Sequence, residues 1–215
     1  MNFNLKREDI LNIQYKEICE LRNEMAQHLS SKNGDMEFLI VGEGVEWNVT
    51  FLGYCIINGI LPKNVRNITL IDLNFTSEKL SFKDNLCFQG YESLRITAIE
   101  ADARDMPFEK NTFDVIVAPL MIDDCPNHLK LLSEFQRCVK KKGKVILAGH
   151  GNDSHTEYSN IPDLLGSNHV NQTNLNKIKL LLKKFNTDIV KIWENKHTWL
   201  IVYLTSKSEV RKHKT

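Results

Sequence analysis

Two glycines and two aspartates in this 215-residue chain stand where ligand chemistry would need them. Gly42 and Gly44 follow the apolar run Phe38-Leu39-Ile40-Val41. A short apolar run that closes on Gly-x-Gly reads as a buried strand turning sharply into a helix. At such a turn the backbone comes close to a ligand, and the first N–H groups of the helix point at it. Asp72 closes a second run, Asn67-Ile68-Thr69-Leu70-Ile71, and Asp102 follows a third, Leu94 to Ile99. A carboxylate closing the second strand can accept both hydroxyls of a ribose. One after the third can accept from an exocyclic amine, as adenine has. Each acid alone is equally an ordinary strand-end or cap carboxylate. On successive strands, beside the glycine turn, they describe a pocket for an adenosine-containing ligand.

The elements that must position these residues are legible as periods. Apolar positions from Leu5 to Leu29 have mostly helical spacing and end at Ser30-Ser31-Lys32-Asn33-Gly34. This helix is expected to pack on a sheet or to cover a pocket. Strands are expected at 37–41, 67–72, 94–99, 113–118 and 144–149, and helices at 46–59, 75–90, 126–139 and 173–185. Lys140-Lys141-Lys142-Gly143 reads as a basic helix end with glycine at C′. The polar stretch 150–172 is long for a compact domain, and such loops are often functional. Strands at 188–194 and 198–205, with Glu194-Asn195-Lys196-His197 between them, close the chain as a hairpin. Strands alternating with helices imply a parallel sheet covered on both faces, and the hairpin adds an antiparallel member.

Composition narrows the class. Hydrophobic residues are 42% and charged residues 26%, as in globular domains. A net charge of +1 gives no broad electrostatic footprint for nucleic acid. No apolar run approaches the roughly 20 residues that span a bilayer. The five cysteines show neither Cys-x-x-Cys pairing nor a histidine at metal-ligand spacing, so no metal is expected. With no signal-peptide pattern, the expected setting is a reduced cytoplasm.

Gly42-Glu43-Gly44, Ile71-Asp72, and the segment Ala101-Asp102-Ala103-Arg104-Asp105-Met106-Pro107-Phe108 with Phe113-Asp114-Val115 resemble the S-adenosylmethionine-dependent methyltransferases of the Rossmann-like class. In that family "D-A-x-x-L-P-F-x-x-x-x-F-D-V" marks the adenine-binding acid and the fourth strand. Cys138 to Val145 resembles the family's "L-K-P-G-G-x-L" turn. The resemblance covers about residues 37 to 205. It implies an α/β fold: a Rossmann-like doubly wound sheet, mostly parallel, of seven strands with an antiparallel C-terminal hairpin strand. It divides the chain into an N-terminal helical extension (1–34), an S-adenosylmethionine-binding methyltransferase domain (35–206) and a basic tail (207–215).

Carried over residue by residue, the resemblance gives Gly42 and Gly44 to the methionine and ribose portion and Asp72 to the ribose hydroxyls. Asp102 goes to the adenine amine, with Ala101 and Ala103 beside the ring and Leu73 and Met106 flanking it. Two positions depart from the pattern. The usual acid two residues before the first glycine is Ile40, and the usual third glycine is Glu46. Glu43 or Glu46 is a candidate for the missing carboxylate, with helix capping as the alternative for Glu46.

The acceptor side is expected after strands four and five. Leu120, Asp123 and Tyr158 are its candidates, and His150 and His155 are candidate general bases. A small-molecule substrate is expected, with neither membrane nor nucleic acid as partner, and a homodimer is left open. Other readings stay open: a non-catalytic or scaffolding member of the fold, an aminopropyltransferase-like enzyme, and a nicotinamide dinucleotide oxidoreductase. The last wants a third glycine at position 47, which is Trp47, and does not account for Asp102.

Overall fold

The computed structural model describes residues 7–29, 34–42, 51–73, 91, 93–151, 174–196 and 198–205. The expected helix at 75–90 lies outside these residues, as do the first residues of the helix expected from 46. Seven strands form one sheet in the order β3-β2-β1-β4-β5-β7-β6. They are β1 Met36–Val41, β2 Val65–Asp72, β3 Arg95–Glu100, β4 Phe113–Ala118, β5 Val139–His150, β6 Thr187–Glu194 and β7 Thr198–Thr205. β1 pairs in parallel with β2 and β4, β2 with β3, and β4 with β5. β7 alone runs antiparallel, inserted between β5 and β6.

Burial on both faces explains the apolar runs. Along β1, Leu39 and Val41 enter one core cluster while Phe38 and Ile40 enter the other. One face is covered by α1 (Arg7–Gln27) and α2 (Phe51–Ile57), through Leu21, Met25, Leu52 and Cys55. The other is covered by α3 (His128–Cys138) and α4 (Leu175–Leu182), through Leu132, Phe135, Ile178 and Leu182. Side-chain caps start the last two: Asn127 accepts from Lys130 N and Asn174 from Lys177 N. At the end of the sheet away from the strand tips, Asp114 ties three strands together. It accepts from Glu37 N at 3.0 Å and from the Lys140 ammonium at 2.7 Å.

One local expectation is corrected. Lys140-Lys141-Lys142-Gly143 is not a helix end. α3 stops at Cys138, Val139 is already extended, and Val139 and Lys144 pair with Phe113 and Val115, so residues 140–143 loop out of the β4 ladder. The left-handed residue is Lys142 (φ 61°) rather than the glycine. Gly143 is small because the backbone crowds it: a Cβ there would stand 2.7 Å from Lys140 O and 3.0 Å from Asp114 O. Those atoms belong to paired backbone and cannot yield cheaply. Gly143→Ala should therefore lower stability by about 1–3 kcal/mol, as over-packing does, read as a fall in the denaturant midpoint.

Candidate functional site

The chain runs from β1 outward to β3 and then returns to β4 on the other side of β1, so the strand order reverses between β1 and β4. In open α/β sheets this is where a crevice opens at the carboxyl ends. Gly42 stands there with φ 70°, its N–H donating to Ile71 O at 2.9 Å. A Cβ on Gly42 would lie 2.3 Å from the Met121 Cβ, so conformation and space both require glycine. Met121 reaches that position because Leu120 takes a left-handed conformation (φ 58°) between β4 and a 3-10 turn, Met121–Asp124. A non-glycine residue pays strain for such a backbone, and the surrounding packing holds it there.

The acids lie along the same edge. Asp72 and Glu100 are in register at the ends of β2 and β3, and Ala101 N donates to Asp72 O at 3.0 Å. Leu73, next along, is 59% exposed. Asp102 carries a partner that the residue pattern did not single out. Arg104 donates its backbone N–H to Oδ1 at 2.8 Å, Nε to both oxygens at 2.9 and 3.0 Å, and an Nη to Oδ2 at 2.6 Å. The Arg104 side chain holds the Asp102 carboxyl below the usual carboxylate range. These four contacts put two on each oxygen, so a ligand donor at Asp102 would share the carboxylate with Arg104. Ala103 and Met106 are buried, and their side chains sit in the core cluster.

A second ion pair holds this loop. Glu134 accepts from Met106 N at 2.9 Å, and Arg137 donates to Met106 O at 2.8 Å and to Phe108 O. Arg137 also grips Glu134 at 2.6 Å and 2.7 Å. Helical i,i+3 spacing was the available signal for the pair, but its target in the loop was not readable.

On the other side of the crevice the structure joins two of the expected residues. Asp123 is 0% exposed. Its Oδ2 accepts from His150 N and from His150 Nδ1, both at 2.9 Å. Trp199 donates Nε1 to His150 O at 2.9 Å and packs against Gly149, where a Cβ would stand 2.3 Å from the indole. His128 is buried beneath, its Nε2 3.0 Å from Ile122 O, and burial lowers its pKa. Gly44, Glu46, His155 and Tyr158 lie outside the described residues. Ile40 is 1% exposed and packs in the core, so its position supplies nothing to a ligand.

Arg137→Ala should cost about 1–3 kcal/mol, because it strands loop carbonyls and the Glu134 carboxylate, measured by denaturant unfolding. The Asp102 and Glu134 carboxyls are both held below their ordinary values, each first by its arginine side chain. Depressed carboxylates contribute stability above the unfolded-state pKa, and lose it as pH falls through the folded one. The stability gap between wild type and Arg137→Ala should therefore be constant above about pH 5 and close on acidification.

Residues 52–147 match a family model described as "Methyltransferase domain". A phosphatidylethanolamine N-methyltransferase of Cereibacter sphaeroides is 24% identical over 147 residues, 67% of this chain; the chain spans 65% of that relative's length. The YcgJ protein of Bacillus subtilis shares the fold with a TM-score of 0.63 at 14% identity, over 88% of this chain and 99% of that one. A phosphoethanolamine N-methyltransferase of Haemonchus contortus, solved with S-adenosyl-L-methionine, has a TM-score of 0.61 at 14% identity, over 87% of this chain and 53% of that one.

Proposed function

We propose that this chain, whose residues 52–147 match the methyltransferase-domain model, is an S-adenosylmethionine-dependent enzyme that methylates a small molecule. The observation that carries the reading is the placement of Asp72 at the end of β2, in register with Glu100 at the end of β3, with Asp102 two residues further on and Gly42 just past the neighbouring β1. Asp72 would take the ribose hydroxyls. Asp102 would take the adenine amine while sharing its carboxylate with Arg104, with Leu73 and Ala101 beside the ring. Gly42, with Gly44 and Glu46 beyond the described part of that turn, would face the methionine portion. For Ala103 only the backbone is available, since its side chain is in the core.

S-adenosylmethionine, when bound, supplies an activated methyl group. The task left to the protein is alignment of a nucleophile and exclusion of water. Residues 35–206 would form this domain, with α1 as an extension packed on the sheet. Leu120 after β4, His150 at the end of β5, and His155 and Tyr158 later in the chain would serve the acceptor side. Small-molecule acceptors fit the named activity of the phosphatidylethanolamine N-methyltransferase relative. Among the described residues, no helix is long and apolar enough to cross a membrane.

A non-catalytic role within the fold is the second reading. It is favoured by the buried Ile40 at the usual acid position and by the clasp of Arg104 on Asp102. Titration calorimetry with S-adenosylmethionine, S-adenosylhomocysteine and NAD separates the readings. The expected outcome is micromolar binding of the first two, about −8 kcal/mol, lost in Asp102→Ala while its thermal unfolding stays cooperative. Binding of NAD alone overturns methyl transfer. Binding of none of them transfers the case to the non-catalytic reading.

A further inference from the structure

We infer that Asp123 is a positioning residue for His150. It fixes the imidazole tautomer that can take a proton from the methyl acceptor, and so selects acceptors whose nucleophile loses an O–H or N–H proton. The inference rests on the methyl-transfer reading and goes beyond it, because that reading requires no base at all.

The argument starts from the carboxylate. Asp123 has no exposed surface, and its Oδ1 has no hydrogen-bond partner. Burying a carboxylate with one oxygen unpaired is costly, and packing alone gives no reason for it. Both bonds that Asp123 does make fall on Oδ2, and both come from His150. The carboxylate is thus committed to one residue, to its backbone and its ring together.

An ionised carboxylate can only accept, so with Asp123 ionised the 2.9 Å contact puts the proton of the ring on Nδ1. The basic lone pair of neutral His150 is then on Nε2. Proton transfer follows simply. The acceptor's O–H or N–H bond breaks, its electron pair stays on the heteroatom, and the proton goes to Nε2. The charge that appears on the ring faces the Asp123 carboxylate.

Three further contacts hold this arrangement. Trp199 Nε1 donates to the His150 carbonyl, Gly149 leaves room for the indole, and Ile122 packs within reach of the same glycine position. The His150 backbone is therefore held at N–H and C=O, and its ring at Nδ1. The pair lies at the carboxyl ends of β4 and β5, one strand from the crevice at Gly42.

The test is ¹⁵N-histidine NMR on the full chain, with wild type and Asp123→Asn compared in mildly alkaline buffer. Wild-type His150 should be the Nδ1–H tautomer. In Asp123→Asn the Nε2–H form should grow. In parallel, carbethoxylation of His150 by diethyl pyrocarbonate, followed by peptide mass spectrometry, should be about tenfold slower in Asp123→Asn, since the reactive lone pair leaves Nε2. S-adenosylhomocysteine titrated into both proteins should bind equally.

An Nε2–H tautomer in wild type overturns the inference without any variant, which covers the case in which Asp123→Asn does not fold. Unchanged tautomer and reactivity in a folded Asp123→Asn overturn it too, and leave Asp123 a purely structural role. Failure of wild type to bind S-adenosylhomocysteine is a different result. It removes the methyl-transfer reading, while the tautomer still decides what Asp123 does to His150.

Discussion

A parallel strand buried on both faces has no place for a polar side chain except at its ends. This constraint organises the molecule. The middle of β1 and β4 is apolar on both sides, and two separate clusters receive alternate residues. Polarity is pushed to the strand tips. At one end it becomes scaffold, with Asp114 joining β1, β4 and Lys140 of β5. At the other it becomes the candidate site, with Asp72 and His150 closing β2 and β5, Asp102 two residues past β3, and Asp123 in the 3-10 turn after β4.

That edge is built from tight contacts more than from free loops. Gly42 has no side chain because Met121 occupies the space, and Met121 is there because Leu120 accepts a left-handed backbone. Gly149 is likewise the seat of Trp199. Small residues beside bulky ones bring chain segments within a few ångströms, and that proximity sets which polar atoms meet. The loop beyond β3 is held differently, by Glu134 and Arg137 of α3 grasping its backbone. Its two arginine–carboxylate pairs differ in role: the one at Arg137 is a clamp on backbone, and the one at Arg104 occupies a side chain expected to face a ligand.

Much of the fold could be read from residue order. The apolar runs, the helical spacing around Leu132 and Phe135 and the terminal hairpin give the strands, the helices and their alternation, because period and burial are coupled. The excursion at residues 140–143 could not be read. A glycine after three lysines signals a helix C-terminus by local rules, and only the crowding at Gly143 by the carbonyls of Lys140 and of Asp114, far earlier in the chain, explains it otherwise. Arg104 was visible two residues from Asp102, yet spacing alone does not tell a solvated arginine from one folded back on its neighbour.

The sequence by itself determined the class of the fold, the strand ends that carry Gly42, Asp72 and Asp102, and the family they resemble. These are properties of one segment at a time, set by hydrophobic period and by turn chemistry. Tertiary structure alone decided which of the residues meet. Asp123 and His150 were separate candidates on the acceptor side, and pairing β4 with β5 put them at hydrogen-bond distance. Trp199 entered the same site only because β7 inserts antiparallel beside β5, opposite Gly149. The reason is physical: a hydrogen bond depends on position to a fraction of an ångström, and that position is fixed by strand register and packing between segments far apart in the chain.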